Sequence, residues 1–179
     1  MKRCLPILAM MLLLAACDQV IFTESQPPKV KPLSEIPAVL QGIFLDQDGD
    51  SLYVHEQSFS YYSDEYSSFQ DVYLSDSAVL KEYKGHFFYS TPIMLETEKY
   101  WLCYLLHSNE NGFDLYTMDP EDVVKLAKLQ EITSKIGDIE EGDNAYYLFE
   151  PKKKDYKKII SDTIFTKMIS FTRISSREE

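Results

Sequence analysis

The chain predicts an α+β domain, mainly antiparallel β-sheet closed as a barrel or packed as a sandwich, with one or two short C-terminal helices. Three observations point there. From Val39 onward, short segments rich in Tyr, Phe, Val, Ile and Leu alternate with Asp, Gly, Ser and Asn clusters at intervals of about ten residues, the pattern of half-buried strands and tight turns. Helical signals arise only late, in "DPEDVVKLAKLQ" and "PKKKDYKKIISD". Eight short strands joined by tight turns suggest a barrel or a sandwich, a lipocalin-like barrel being one form.

Strands are expected near 39–46, 51–56, 58–63, 69–75, 78–84, 86–91, 98–107 and 112–117. In "EKYWLCYLLHS", Trp101, Cys103 and Leu105 face one way, while Tyr100, Leu102, Tyr104 and Leu106 face the other. A strand apolar on both faces belongs in the middle of a sheet, covered on each side. A helix should follow, with Asp119 as N-cap, Pro120 in the first helical position, and Glu121 and Asp122 favouring the positive end of the dipole. Its end is set near Gln130, and "EITSKI" at 131–136 reads equally as its last turns or as a further strand. "AYYLFE" at 145–150 is a strand, and Pro151 opens a second short helix with Tyr156, Ile159 and Ile160 on one face. "TIFTKMISFTRI" at 163–174 closes the domain as a strand.

The first 37 residues are different. Lys2 and Arg3 precede an apolar stretch from Leu5 to Ala16, which then meets Cys17 and Asp18. A membrane-spanning helix needs roughly 20 apolar residues, so this run is too short to be one and has the layout of an export signal. "LAAC" at 14–17 resembles the lipobox of bacterial lipoproteins. That resemblance implies cleavage of residues 1–16, a diacylglycerol on the Cys17 sulfur and an acylated Cys17 amine. A buried helix over 5–17 is the alternative, but it would show a polar face with period 3.6, which this stretch lacks. One acyl chain anchors only marginally, whereas two or three hold a protein to a bilayer without spanning it. Residues 17–37 then read as lipidated cysteine and proline-rich tether, extended by Pro27, Pro28, Pro32 and Pro37, with "VIF" at 20–22 as a possible edge strand instead. Residues 38–179 form a single β-rich domain.

Charge and cysteine content narrow the partners. Without Lys2 and Arg3, 16 basic and 29 acidic residues leave a formal charge of −13. Nucleic acid and anionic lipid headgroups are therefore not expected as partners, because both require clustered positive charge. With Cys4 removed and Cys17 lipidated, Cys103 has no disulfide partner. The 163 residues from Cys17 onward are enough for a domain that buries roughly 68–70% of its unfolded surface without one.

No catalytic, cofactor-binding or metal-binding residues are assigned. "DQDGD" at 46–50 resembles the start of a calcium loop, but from Asp46 the required glycine falls on Ser51 and the required glutamate on Gln57. An Asp-Gly hairpin turn explains the motif better. His55, His86 and His107 lack the close local spacing of a zinc site, although three strands could bring them together. The tyrosines Tyr53, Tyr61, Tyr62, Tyr66, Tyr73 and Tyr83 suit either ordinary sheet packing or the wall of a cavity for a sugar or apolar ligand. Cys103 reads as an inert core thiol, and "KKKDYKK" as a solvated helix face.

"YYLFEPKKKDYKKII" followed by "IFTKMISFTRI" resembles small lipoproteins of the Bacteroidetes type. That resemblance implies an address without an activity. Asp18 after the lipidated cysteine resembles the inner-membrane retention signal of enteric bacteria, whereas in Bacteroidetes-type cells the outer membrane is expected. The expected function is that of a lipid-anchored, non-catalytic binding or accessory module of the cell envelope, meeting the membrane through its lipid and taking a small apolar or sugar ligand. The alternative is a structural or assembly subunit that meets another envelope protein. An enzyme would have to rely on carboxylates such as Asp64 and Glu65, and no constellation supports that.

Overall fold

The computed structural model describes residues 18–63 and 68–175. Cys17, Asp64, Glu65 and Tyr66 lie outside the described residues. The strands are β1 (Gln19–Phe22), β2 (Gly42–Leu45), β3 (Ser51–Val54), β4 (Ser58–Ser63), β5 (Ser68–Tyr73), β6 (Val79–Tyr83), β7 (His86–Leu95), β8 (Glu98–Asn109) and β9 (Gly112–Thr117). Helix α1 (Val123–Ile132), β10 (Lys135–Glu141), β11 (Asn144–Phe149), α2 (Tyr156–Ser161) and β12 (Thr166–Ser175) follow. The fold is α+β and mainly antiparallel. Its strands make one open, mixed sheet in the order β10-β11-β1-β8-β9-β12-β2-β3-β4-β5, with β7 on the other side of β8 and β6 beyond β7.

Strand β8 is the hub, as its two apolar faces require. On one side it pairs with β7 along nearly its whole length, from Phe87 opposite Leu106 to Leu95 opposite Glu98. Its other side forks: Leu105 to Asn109 pair with β9, while Trp101 meets Phe22 of β1. Trp101, Cys103 and Leu105 pack with Leu129 of α1 and Tyr156 and Ile159 of α2 in one core. Leu106 lies in a second core on the opposite face with Phe44, Leu52, Leu80, Phe87 and Phe113.

The second core shows that the sheet curls. Leu80 on β6 and Leu52 on β3 are far apart in ladder order yet share that core, so the sheet bends until its ends approach. No ladder joins β5 to β6 among the described residues, and the curl stops short of a closed barrel. The chain at 32–36 laces this gap. Leu33 N–H donates to Leu80 C=O at 2.8 Å, and Ile36 N–H to Glu56 C=O at 2.7 Å.

Residues 18–37, expected as a tether, are folded onto the domain. Gln19–Phe22 pairs in parallel with β11 and meets β8, so "VIF" is an internal strand and not an edge. Val20 and Phe22 enter the helix-side core, while Ile21 enters a third cluster with Leu95 and Tyr146. Burying a large apolar side chain contributes about 1.5–3 kcal/mol, more than enough to hold a short segment that a free tether would leave in water. Beyond β1, Lys81 Nζ donates to the Ser25 and Pro27 carbonyls at 2.5 and 3.0 Å, and Gln26 N–H donates to Ser90 Oγ at 3.0 Å. Pro27 and Pro28 are buried. The prolines fix a path across the domain surface and do not form a spacer.

Three further differences have local causes. Helix α1 starts three residues later than expected because Asp119 Oδ1 accepts from Glu121 N–H at 2.9 Å, a side-chain turn that competes with helix entry. Asp122 takes the capping role, with Oδ1 accepting from Lys125 N–H at 3.1 Å. "EITSKI" serves both readings: its first two residues end α1 and its last two begin β10. The rest of β10 is a strand that the sequence conceals, because an edge strand carries charge on its exposed positions. Helix α2 is shorter than expected, beginning at Tyr156, because Asp155 Oδ2 accepts from Lys152 N–H at 2.8 Å and holds 152–155 as a turn.

Candidate functional site

The curl leaves an apolar cup on the concave face. Its floor comes from Leu106, Phe113, Leu115 and Phe171 on β8, β9 and β12. Leu52, Phe59 and Val72 on β3, β4 and β5 make one wall, and Tyr89 on β7 makes the other. The cavity holds about 160 Å³ and is open on one side. Phe59 and Tyr89 meet edge to face across it at 5.6 Å, and Phe113 packs on Phe171 at 5.0 Å. Burial pushes the Tyr89 hydroxyl above its ordinary range, against a hydrogen bond to Thr91 that acts the other way. The lining is otherwise hydrocarbon. Such a surface excludes water and accepts a hydrocarbon group, and it offers no nucleophile or acid–base pair.

Gly112 places this floor. Its φ is +152°, and a Cβ there would lie 2.1 Å from the Phe171 carbonyl oxygen. The missing side chain lets β9 approach β12 closely, beside the contact of Phe113 with Phe171.

The "DQDGD" segment forms the hairpin turn between β2 and β3. Asp46 Oδ1 accepts from the backbone N–H groups of Asp48 and Asp50, both at 2.9 Å. Tyr61 on β4 donates its hydroxyl to Asp46 Oδ2 at 2.9 Å, and it also lies 3.0 Å from Asp50 Oδ2. Burial, followed by the hydrogen bonds to these two carboxylates, holds the Tyr61 hydroxyl well above its usual range. The carboxylates are spent on organising a turn.

Of the three histidines, the fold unites two. His86 and His107 stack on neighbouring strands with ring centroids 6.2 Å apart, and burial followed by the His107 charge pulls His86 below its ordinary value. His107 lies opposite Asp114 on β9, but Asp114 is engaged by Lys167 at 2.7 Å and Ser170 at 2.8 Å. His55 is apart, in the β3–β4 turn. Among the described residues, no three His, Cys, Asp or Glu side chains are grouped to hold a metal ion.

Cys103 is in the helix-side core, where burial pushes its thiol up to about 12, facing the Tyr156 and Ser90 hydroxyls. Of the six tyrosines singled out from sequence, Tyr61 braces the turn beside the cup. Tyr83 packs on the opposite core, and Tyr73 is exposed on the outermost strand. The cup tyrosine, Tyr89, was not among them. The aromatic run in "HFFYS" marks a strand but not which strands share a cavity. Residues 152–154 of "KKKDYKK" are exposed, and Tyr156 is fully buried.

A second, more polar notch of about 300 Å³ occupies the fork where β8 leaves β1 and β9. Asp18, Tyr104, Met118, Glu121 and Met168 are among its walls. Asp18 is held to β11, its Oδ1 accepting from Ala145 N–H at 3.0 Å. No helix among the described residues is long and apolar enough to cross a membrane.

Comparison of this chain with protein-family models, curated proteins and solved structures finds no match.

Proposed function

We propose that the chain is a lipid-anchored module of the bacterial cell envelope, held by acyl groups on Cys17, whose concave face binds an apolar group without chemically altering it. The open apolar cup carries this reading. Its side chains come from seven strands, and they leave a hydrocarbon surface accessible in a chain of net negative charge. Ligand cavities for whole small molecules run from about 300 Å³ upward, so a cup of about 160 Å³ suits one ring or branch of a larger molecule. The same small volume supports the second reading, an assembly subunit whose cup receives an apolar side chain of another envelope protein.

Two measurements test these statements. Mass analysis of the N-terminal peptide from a lipoprotein-processing host should find Cys17 at the N-terminus carrying diacylglycerol and an acyl group. Cys17→Ser should leave the protein soluble on fractionation; an unmodified Cys17 would refute the anchor. Titration with an apolar fluorescent dye should show saturable binding that Val72→Trp, at the cup rim, weakens at least tenfold with no loss of melting temperature. Unchanged dye affinity in that variant would remove the cup from the binding role.

A further inference from the structure

We propose that the face of the domain around Asp18 lies against the bilayer that holds the Cys17 lipid, touching it through Val123, Val124 and Met168. This rests on the lipoprotein reading of Cys17. The first support is the absence of a spacer. Asp18 is bonded to β11, and the ladder starts at Gln19 opposite Tyr146. Cys17 directly precedes Asp18 in the sequence, so no residues intervene between the anchor position and the folded chain. A domain anchored so closely has only one part of its surface that can meet the lipid.

The second support is what that part carries. Met168 walls the same notch as Asp18 and is 58% exposed. It sits at a break in register between Lys167 and Ile169, where a bulge can re-aim a side chain. Glu121, on the same notch, accepts from Val123 N–H at 2.9 Å, which places the start of α1 beside it. Val123 is 72% and Val124 61% exposed, the two most exposed large aliphatic side chains among the described residues. Lys125 Nζ donates to Thr166 Oγ1 at 2.8 Å and ties this helix start to the strand that carries Met168.

Of the carboxylates nearby, Glu121 is exposed on the notch and the other three are engaged within the protein. Asp18 and Asp119 accept backbone N–H groups, and Asp122 caps α1. They make the face a poor match for anionic headgroups, so the occupant is an apolar and zwitterionic surface. Three apolar side chains bind such a surface weakly by themselves; the covalent lipid keeps them there.

The experiment uses the full chain, processed in a lipoprotein-exporting host and reconstituted into phosphatidylcholine vesicles that carry nitroxide-labelled lipid. An environment-sensitive fluorophore is attached at Met168→Cys, at Val123→Cys, and at Met94→Cys as control. Met94 is 59% exposed and pairs with Lys99, roughly 20 Å along β8 from the level of Asp18. Quenching at positions 168 and 123 should exceed that at 94 by at least threefold. Equal or greater quenching at 94, in protein whose intact mass shows the lipid, overturns the membrane-facing surface and leaves the anchor standing. An intact mass without lipid overturns both.

Discussion

The strongest test of the fold is whether residues 19–22 are part of the core. Phe22 and Ile21 are both fully buried, but on opposite sides of β1: Phe22 with Trp101 and Phe149, and Ile21 with Leu95 and Tyr146. Removing a buried Phe side chain typically costs about 3–5 kcal/mol and a buried Ile about 2–5 kcal/mol, the transfer of the lost atoms plus the cavity left behind. For a domain of 150–250 residues, each kcal/mol lowers the melting temperature by about 2–4 °C, so Phe22→Ala should lower it by roughly 6–20 °C. Ile21→Ala should produce a similar fall. Urea unfolding of the Cys17→Ser form gives the free energies directly, with the slope expected to stay constant. The pair discriminates among arrangements. A detached tether predicts midpoints unchanged in both variants, and a segment packed on one face predicts a loss in only one. Either result would refute β1 as an internal strand.

Three other perturbations follow from named contacts. Gly112→Ala places a methyl group 2.1 Å from the Phe171 carbonyl oxygen at a φ of +152°, so β9 and β12 must separate. A loss of at least about 2 kcal/mol is expected, with weakened dye binding in the cup, and a neutral melting temperature would contradict the close approach. Asp46→Ala removes the acceptor for two backbone N–H groups and the Tyr61 hydroxyl and should cost about 1–3 kcal/mol, whereas exposed Asp48→Ala should fall within about 0.5 kcal/mol of wild type. Equal effects in chemical denaturation would show that Asp46 does not organise the turn. Cys103 should resist a thiol-reactive chromogen at pH 8 until the protein unfolds, because its folded thiol holds its proton up to about 12. Since its folded value is raised, its contribution to stability is intact below the ordinary thiol value near 9 and fades as pH rises toward 12. Rapid modification of the native protein would place this thiol at the surface.

The amino-acid sequence by itself determined most of the local structure. Short segments rich in Tyr, Phe, Val, Ile and Leu, separated by Asp, Gly, Ser and Asn clusters about every ten residues, located the strands from β2 to β9, because such residues suit a pleated, half-buried surface and such clusters suit turns. The two apolar faces of β8 identified it as central, since a strand with Trp101, Cys103 and Leu105 on one face and Leu106 on the other cannot leave either in water. The hairpin turn at "DQDGD" was legible because Asp-Gly specifies a backbone shape within a few residues. Only the tertiary structure decided the rest. Gln19–Phe22 is a strand because β11, more than a hundred residues away, supplies its ladder. Four apolar or amide residues after a signal-like stretch carry no local mark of such a partner. The charged edge strand β10 gains its order from β11 in the same way. The cup and the Asp18 notch were hidden for a related reason: each side chain is an ordinary inward or outward strand residue until curl and ladder order bring the strands together. Periodicity reports which side a residue faces, whereas a site requires knowing which distant residues share that side.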